Sequence, residues 1–127
     1  MAWIVEKFKD WTDPAAELPE DAVDRDHLLT DVSVYWLTRT AGSSAQGYYE
    51  GYHSGLWAPP PLSTTPTGVA VFPQDVAIRR IAERSNNIVH WSEFAQGGHF
   101  AAMETPDLLV RDIRTFFARF RGERAAG

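Results

Sequence analysis

Apolar residues among the first eleven positions fall at Trp3, Ile4, Phe8 and Trp11, the spacing of one face of an α-helix. Residues 12–24, TDPAAELPEDAVD, are rich in proline and acid and predict a loop. Asp24 or Asp26 can then cap a second helix. Its stripe of Leu28, Leu29, Val32, Tyr35 and Trp36 predicts burial, with Tyr35 and Trp36 in the core. Gly42-Ser43-Ser44 interrupts that pattern. SAQGYYEGYH predicts a further short helix capped by Ser43 or Ser44, weakened by Gly47 and Gly51. Residues 54–68, SGLWAPPPLSTTPTG, mark a boundary.

Beyond the boundary the periodicity changes. GVAVFP is a short apolar run stopped by Pro73, as a buried strand would be. QDVAIRRIAER places Val76, Ile78 and Ile81 among charges and predicts a short helix. NNIVHWSEF alternates around Val89 and Trp91 and predicts a second strand, with Trp91 in the core. TPDLLVRDIRTFFARFRG reads as a helix with Thr105 as N-cap, Pro106 in its first position and Gly122 at its end. Leu108, Leu109, Ile113, Phe116, Phe117 and Phe120 would form its apolar face. Glu104, just before it, is placed to interact with the helix N-terminus.

The order is therefore helices, then strand–helix–strand–helix, a βαβ unit with a covering helix. Two strands are too few for a stable parallel sheet, which needs more strands and two covered faces. The expected fold class is α/β, the C-terminal portion of a larger domain with an incomplete sheet. A helical segment at 1–55, a linker at 56–68 and a βαβα part at 69–127 are expected. The open sheet edge offers a route to self-association.

The 127 residues fit one domain or a piece of one. The net charge of -5 argues against nucleic acid or an anionic membrane surface as partner. Arg119, Arg121 and Arg124 read instead as a helix C-terminus complementing its dipole. Without cysteine there is no disulfide, thiolate nucleophile or cysteine-held zinc, and the four histidines show no HxxxH spacing. Neither metal nor cofactor is expected. No apolar run approaches the ~20 residues of a membrane span. The start, MAWIVEKFKDW, lacks a signal-peptide pattern, so a cytoplasmic location is expected.

Asp75 follows the first strand and His99, behind Gly97-Gly98, follows the second. In a parallel βαβ unit both strand C-termini lie at one sheet edge, where open α/β sheets bind ligands. A carboxylate there can hold an imidazole in one tautomer and stabilise its protonated form. The acid-before-histidine order is that of α/β-hydrolases. Each residue alone has a plainer reading, Asp75 as a turn residue or helix cap and His99 as structural. His27, His53 and His90 read as surface or loop residues.

QGGHFAAMETPDLLVRDIRTFF closely resembles the C-terminal signature of α/β-hydrolase-fold epoxide hydrolases of the microsomal-like and bacterial kind. AWIVEKFKDW resembles a segment between that family's cap helices. HLLTDVSVYWLTRTAGSSAQGYYE resembles its cap block, and PTGVAVFPQD the strand carrying its acid. The blocks come in family order and span most of the chain. The resemblance implies that residues 1–55 are a cap, or lid, segment. It also implies that His99 activates water against an alkyl-enzyme ester and that Asp75 is its charge partner. Tyr48, or Tyr49 if the register is off by one, would hydrogen-bond the oxygen of a small epoxide substrate and help protonate the alkoxide. A carboxylate nucleophile would open the epoxide, a phenol with pKa near ~10 would serve as acid, and the histidine would drive ester hydrolysis.

No carboxylate of this sequence stands in a Gly-x-Asp-x-Gly elbow, and no serine in Gly-x-Ser-x-Gly. The family's His-Gly-x-Pro loop is not found here either. The sequence is thus expected to be roughly the final third of an epoxide hydrolase, inactive by itself. Two other readings stand beside it: a non-catalytic remnant or interaction module, and another α/β-hydrolase such as an esterase or dehalogenase. Tyr48 argues against the last.

Overall fold

A computed structural model describes residues 2–55 and 61–121. Helix α1 spans Ala2–Trp11, α2 Pro19–Ala22, α3 Arg25–Thr38 and α4 Ala41–His53. Strand β1, Pro66–Val71, is followed by α5, Arg79–Ala82, and β2, Asn87–Glu93. Helices α6, Ala101–Glu104, and α7, Pro106–Ala118, close the chain.

The N-terminal helices gather around Phe8, Val23, Leu28 and Val32, with Ile4, Val5, Ala22 and Phe100 packed against them. Phe100 comes from the far end of the sequence, and its ring stacks on Phe8 at 4.4 Å. The expected loop at 12–24 contains a turn of helix, α2. Pro19 starts it, and the Asp21 carboxylate accepts a hydrogen bond from Leu18 N at 2.8 Å. Asp24 caps α3 by accepting from Asp26 N and His27 N, one of the two caps anticipated. Arg39, in the left-handed region at φ 57°, ends it.

Two expectations for the helical part are corrected. Trp36 is 75% exposed rather than in the core, and Tyr35 is half-buried, because α3 turns only its Leu28–Val32 side inward. Helix α4 starts after Thr40, so Ser43 and Ser44 lie inside it. Their hydroxyls donate back to Thr40 O and Ala41 O instead of capping.

Strands β1 and β2 form a two-stranded parallel sheet, with Pro66 opposite Asn87, Val71 opposite Glu93 and a register shift between Thr67 and Gly68. The parallel pairing is the expected one. The helix expected over 74–84 shrinks to the single turn of α5. Gln74 sits in the left-handed region at φ 68° and residues 75–78 are not helical. Trp91 is half-buried and its Nε1–H donates to Glu93. Helix α7 packs Phe116 toward β1 and β2, while Ile113 and Phe117 of the expected apolar face stay exposed. Arg119 caps the C-terminus and donates to Val89 O. Gly122, the expected end of this helix, and Arg124 lie outside the described residues, as do positions 56–60 of the expected linker. Among the described residues no helix is long and apolar enough to cross a membrane.

Candidate active site

The site begins where the two parallel strands end. After β1 the chain buries Phe72 and turns, with Asp75 N donating to Phe72 O at 3.0 Å. The turn puts Asp75 beyond the C-terminal end of β1. The Gln74 side chain fastens it to the first helical segment by donating to Thr12 O at 2.9 Å.

The segment after β2 is built to present His99. Phe94 N donates to Val71 O at 2.9 Å, and its ring stacks on Phe72 at 4.8 Å. Gly97 has φ 92°, and a Cβ there would fall 2.7 Å from Thr105 Oγ1. A Cβ on Gly98 would fall 2.6 Å from Trp11 O. The two glycines thus satisfy a left-handed backbone and a close crossing of two chain segments. His99 N donates to Trp11 O at 2.7 Å, and the imidazole tilts against the Trp11 indole with centroids 4.9 Å apart.

Asp75 and His99 line a single cavity of about 610 Å³ with Trp11, Phe72, Pro73 and Val76. A carboxylate and an imidazole in an otherwise largely apolar concavity have the make-up of a small-molecule site. No hydrogen bond joins the two side chains, both of which are exposed to the cavity and solvent. Tyr48 and Tyr49 lie apart from this cavity on α4, 68% and 64% exposed, and the Tyr49 ring packs on His53. The structure therefore brings two of the sequence-predicted site residues together and leaves the tyrosines outside.

The sequence reading missed the residues that tie this loop down. Gly97 N donates to Asp13 Oδ2 at 2.7 Å. Glu104 accepts from Asp13 N at 2.7 Å and from Phe100 N at 3.0 Å. Glu104 therefore serves the His99 loop and the 11–13 segment, not the N-terminus of α7 as expected. Thr105 holds the N-cap position of α7, but its hydroxyl makes no capping bond and is buried without a partner.

His90 corrects a further expectation. It is not a surface residue: its Nε2 lies 2.7 Å from Asp112 Oδ1, and Ser92 Oγ reaches both at 3.1 and 2.6 Å. These are the residue types of a hydrolytic triad in another geometry. Serine and carboxylate meet the same imidazole nitrogen, so the ring cannot relay a proton between them. The cluster joins β2 to α7. His27 and His53 are exposed, as expected.

No protein-family profile matches the chain. It is 41% identical over 125 residues to a provisionally named epoxide hydrolase of Stigmatella aurantiaca (strain DW4/3-1), covering 96% of this chain and 28% of that protein. It is 36% identical to epoxide hydrolase 1 of Sus scrofa, covering 91% of this chain and 28% of that protein. The chain belongs to the epoxide hydrolase family. Its fold is similar to the crystal structure of juvenile hormone epoxide hydrolase from Bombyx mori, with a TM-score of 0.78 at 26% identity over 95% of this chain and 33% of that one. The Aspergillus niger epoxide hydrolase aligns with a TM-score of 0.69 at 31% identity, over 93% of this chain and 29% of that one. The chain thus spans under a third of the epoxide hydrolases it matches, and carries the C-terminal portion of their α/β-hydrolase fold.

Proposed function

We propose that this chain supplies the water-activating part of an epoxide-hydrolase active site. His99 takes a proton from water as that water attacks an alkyl-enzyme ester, and Asp75 stabilises the imidazolium that results. Tyr48, with Tyr49 as the alternative, donates to the epoxide oxygen as the ring opens. For either tyrosine the reading requires α4 to lie over the cavity in the completed enzyme. The ester-forming carboxylate comes from outside these 127 residues, which contain no Gly-x-Asp-x-Gly elbow. The substrate is a small epoxide, and the products are vicinal diols.

The observation that carries the reading is one cavity lined by Asp75 and His99, from the ends of two parallel strands, in a chain of this family. The test is a chimera in which the chain replaces the matching residues of the Stigmatella aurantiaca relative. With styrene oxide, the His99→Ala chimera should accumulate protein heavier by one epoxide and release no diol. Diol release at the unsubstituted rate would overturn the assignment.

A second reading is favoured by the sheet. Among the described residues β1 and β2 pair only with each other, so each keeps one unpaired edge. Such edges recruit another strand, from a second copy or from a completing segment. Sedimentation of the chain over a range of concentrations tests this. A monomer at every concentration counts against self-association.

A further inference from the structure

We propose that Glu104 is a positioning residue for His99, acting through a two-sided carboxylate bridge to the Trp11–Asp13 segment. This deepens the reading of His99 as the water-activating base and rests on it. His99 lies between two points that Glu104 and its neighbours fix. On one side Glu104 Oε1 accepts from Phe100 N at 3.0 Å. On the other, Oε2 accepts from Asp13 N at 2.7 Å, and Asp13 Oδ2 accepts from Gly97 N at 2.7 Å. The His99 N–H itself donates to Trp11 O at 2.7 Å.

Three of these four bonds are accepted by carboxylates, and charge-assisted bonds are shorter and stronger than neutral ones. All four involve backbone N–H groups, so they fix the main chain on both sides of the histidine. The imidazole is left with one ring neighbour from the opposing segment, the Trp11 indole at 4.9 Å, which lines the same cavity. With Gly98 tight against Trp11 O, the His99 loop has little room to slide. The segment that ends α1 is thereby a wall of the cavity and an anchor of the base. A base must stand within hydrogen-bond reach of the water it deprotonates, and this bridge sets where that base stands.

Glutamine at position 104 has one acceptor oxygen and presents an NH₂ group to the second amide, so it can keep only one of the two bonds. The experiment uses the 127-residue chain, labelled for NMR, and reads the ring-current shift that the Trp11 indole imposes on the His99 ring protons. In the unsubstituted chain that shift should be present. It should be lost in Glu104→Gln, with exchange of the Asp13 or Phe100 amide at least about tenfold faster, as loss of a hydrogen bond to a charged group implies. Resonances of His90 and Ser92, remote in the fold, should stay in place. Gly98→Ala, which forces the loop off Trp11 without touching the carboxylate, should abolish the same shift. The proposal is overturned if Glu104→Gln speeds amide exchange but leaves the His99 ring shift intact. It is also overturned if the unsubstituted chain shows no ring-current shift, a measurement that needs no variant. Neither readout depends on epoxide turnover, so failure of the catalytic reading would show separately in the chimera.

Discussion

His90 of β2 and Asp112 of α7 meet at 2.7 Å with their side chains only 9% and 11% exposed. Ser92, two residues along the same face of β2, adds its hydroxyl to the same carboxylate oxygen at 2.6 Å. One carboxylate thus satisfies two polar side chains at the sheet–helix junction. Asp112→Ala leaves both without that acceptor in a poorly solvated place. A destabilisation of about 1–3 kcal/mol is expected, read as a lower urea midpoint with an unchanged slope. An unchanged midpoint would mean that water replaces the carboxylate and that the junction is open to solvent.

Why His90 escaped the sequence reading, while Asp75 and His99 did not, is a matter of where each contact comes from. Asp75 and His99 were legible because parallel strands end at one edge, so two short-range patterns sufficed to place them at it. The contacts of His90 depend on how α7 lies across β2, and periodicity does not specify that. Glu104 and Asp13 are farther still from local signals: they meet across 91 positions of sequence. Helix α3 shows the same limit. Its stripe from Leu28 to Trp36 is visible, but only Leu28 and Val32 are buried, while Trp36 lines an open groove with Trp3 and Ile4 of α1 and stays exposed. The helix expected after β1 is cut to the turn of α5 because Gln74 takes a left-handed conformation and its side-chain amide donates to Thr12 O.

Gly97 should tolerate no side chain. Its φ of 92° suits glycine, and a Cβ would meet Thr105 Oγ1 at 2.7 Å and Phe72 at 3.1 Å. Gly97→Ala should therefore cost about 1–3 kcal/mol from backbone strain, before any steric term. Thermal unfolding measures this. Gly42→Ala is the control, since a Cβ there meets nothing within 4 Å and it replaces a helical glycine with a better helix former. Equal melting temperatures for the two variants would refute the strain argument.

The helical core makes a sharper contrast. Phe8 is 3% exposed and stacks on Phe100 next to His99, so it joins the N-terminal helices to the site loop. Phe8→Ala should cost about 3–5 kcal/mol through lost burial and a residual cavity. Trp36→Ala on the exposed side of α3 should stay within about 0.5 kcal/mol. Urea unfolding of both decides. A large loss at Trp36 would mean that its face is covered in solution.

The chain alone should form no diol from styrene oxide. His99 and Asp75 share a cavity, but water activation has no substrate until a carboxylate has formed the ester, and no nucleophile elbow is present in the sequence. Removing a nucleophile from a two-step mechanism removes both steps, because the second consumes the product of the first. The remaining imidazole could at most act as a general base toward the epoxide directly, with neither tyrosine over the cavity to protonate the alkoxide. Gas chromatography of styrene oxide incubated with the chain, with His99→Ala as comparison, reads the outcome. Diol formation above the buffer rate that disappears in His99→Ala would overturn the prediction, and an alkyl-enzyme adduct seen by mass spectrometry would then separate a carboxylate nucleophile within these 127 residues from direct attack by water that His99 activates. Asp75, which lines the same cavity, would be the first carboxylate to replace if an adduct forms. Diol formation equal in both proteins would instead mark a background reaction without the base.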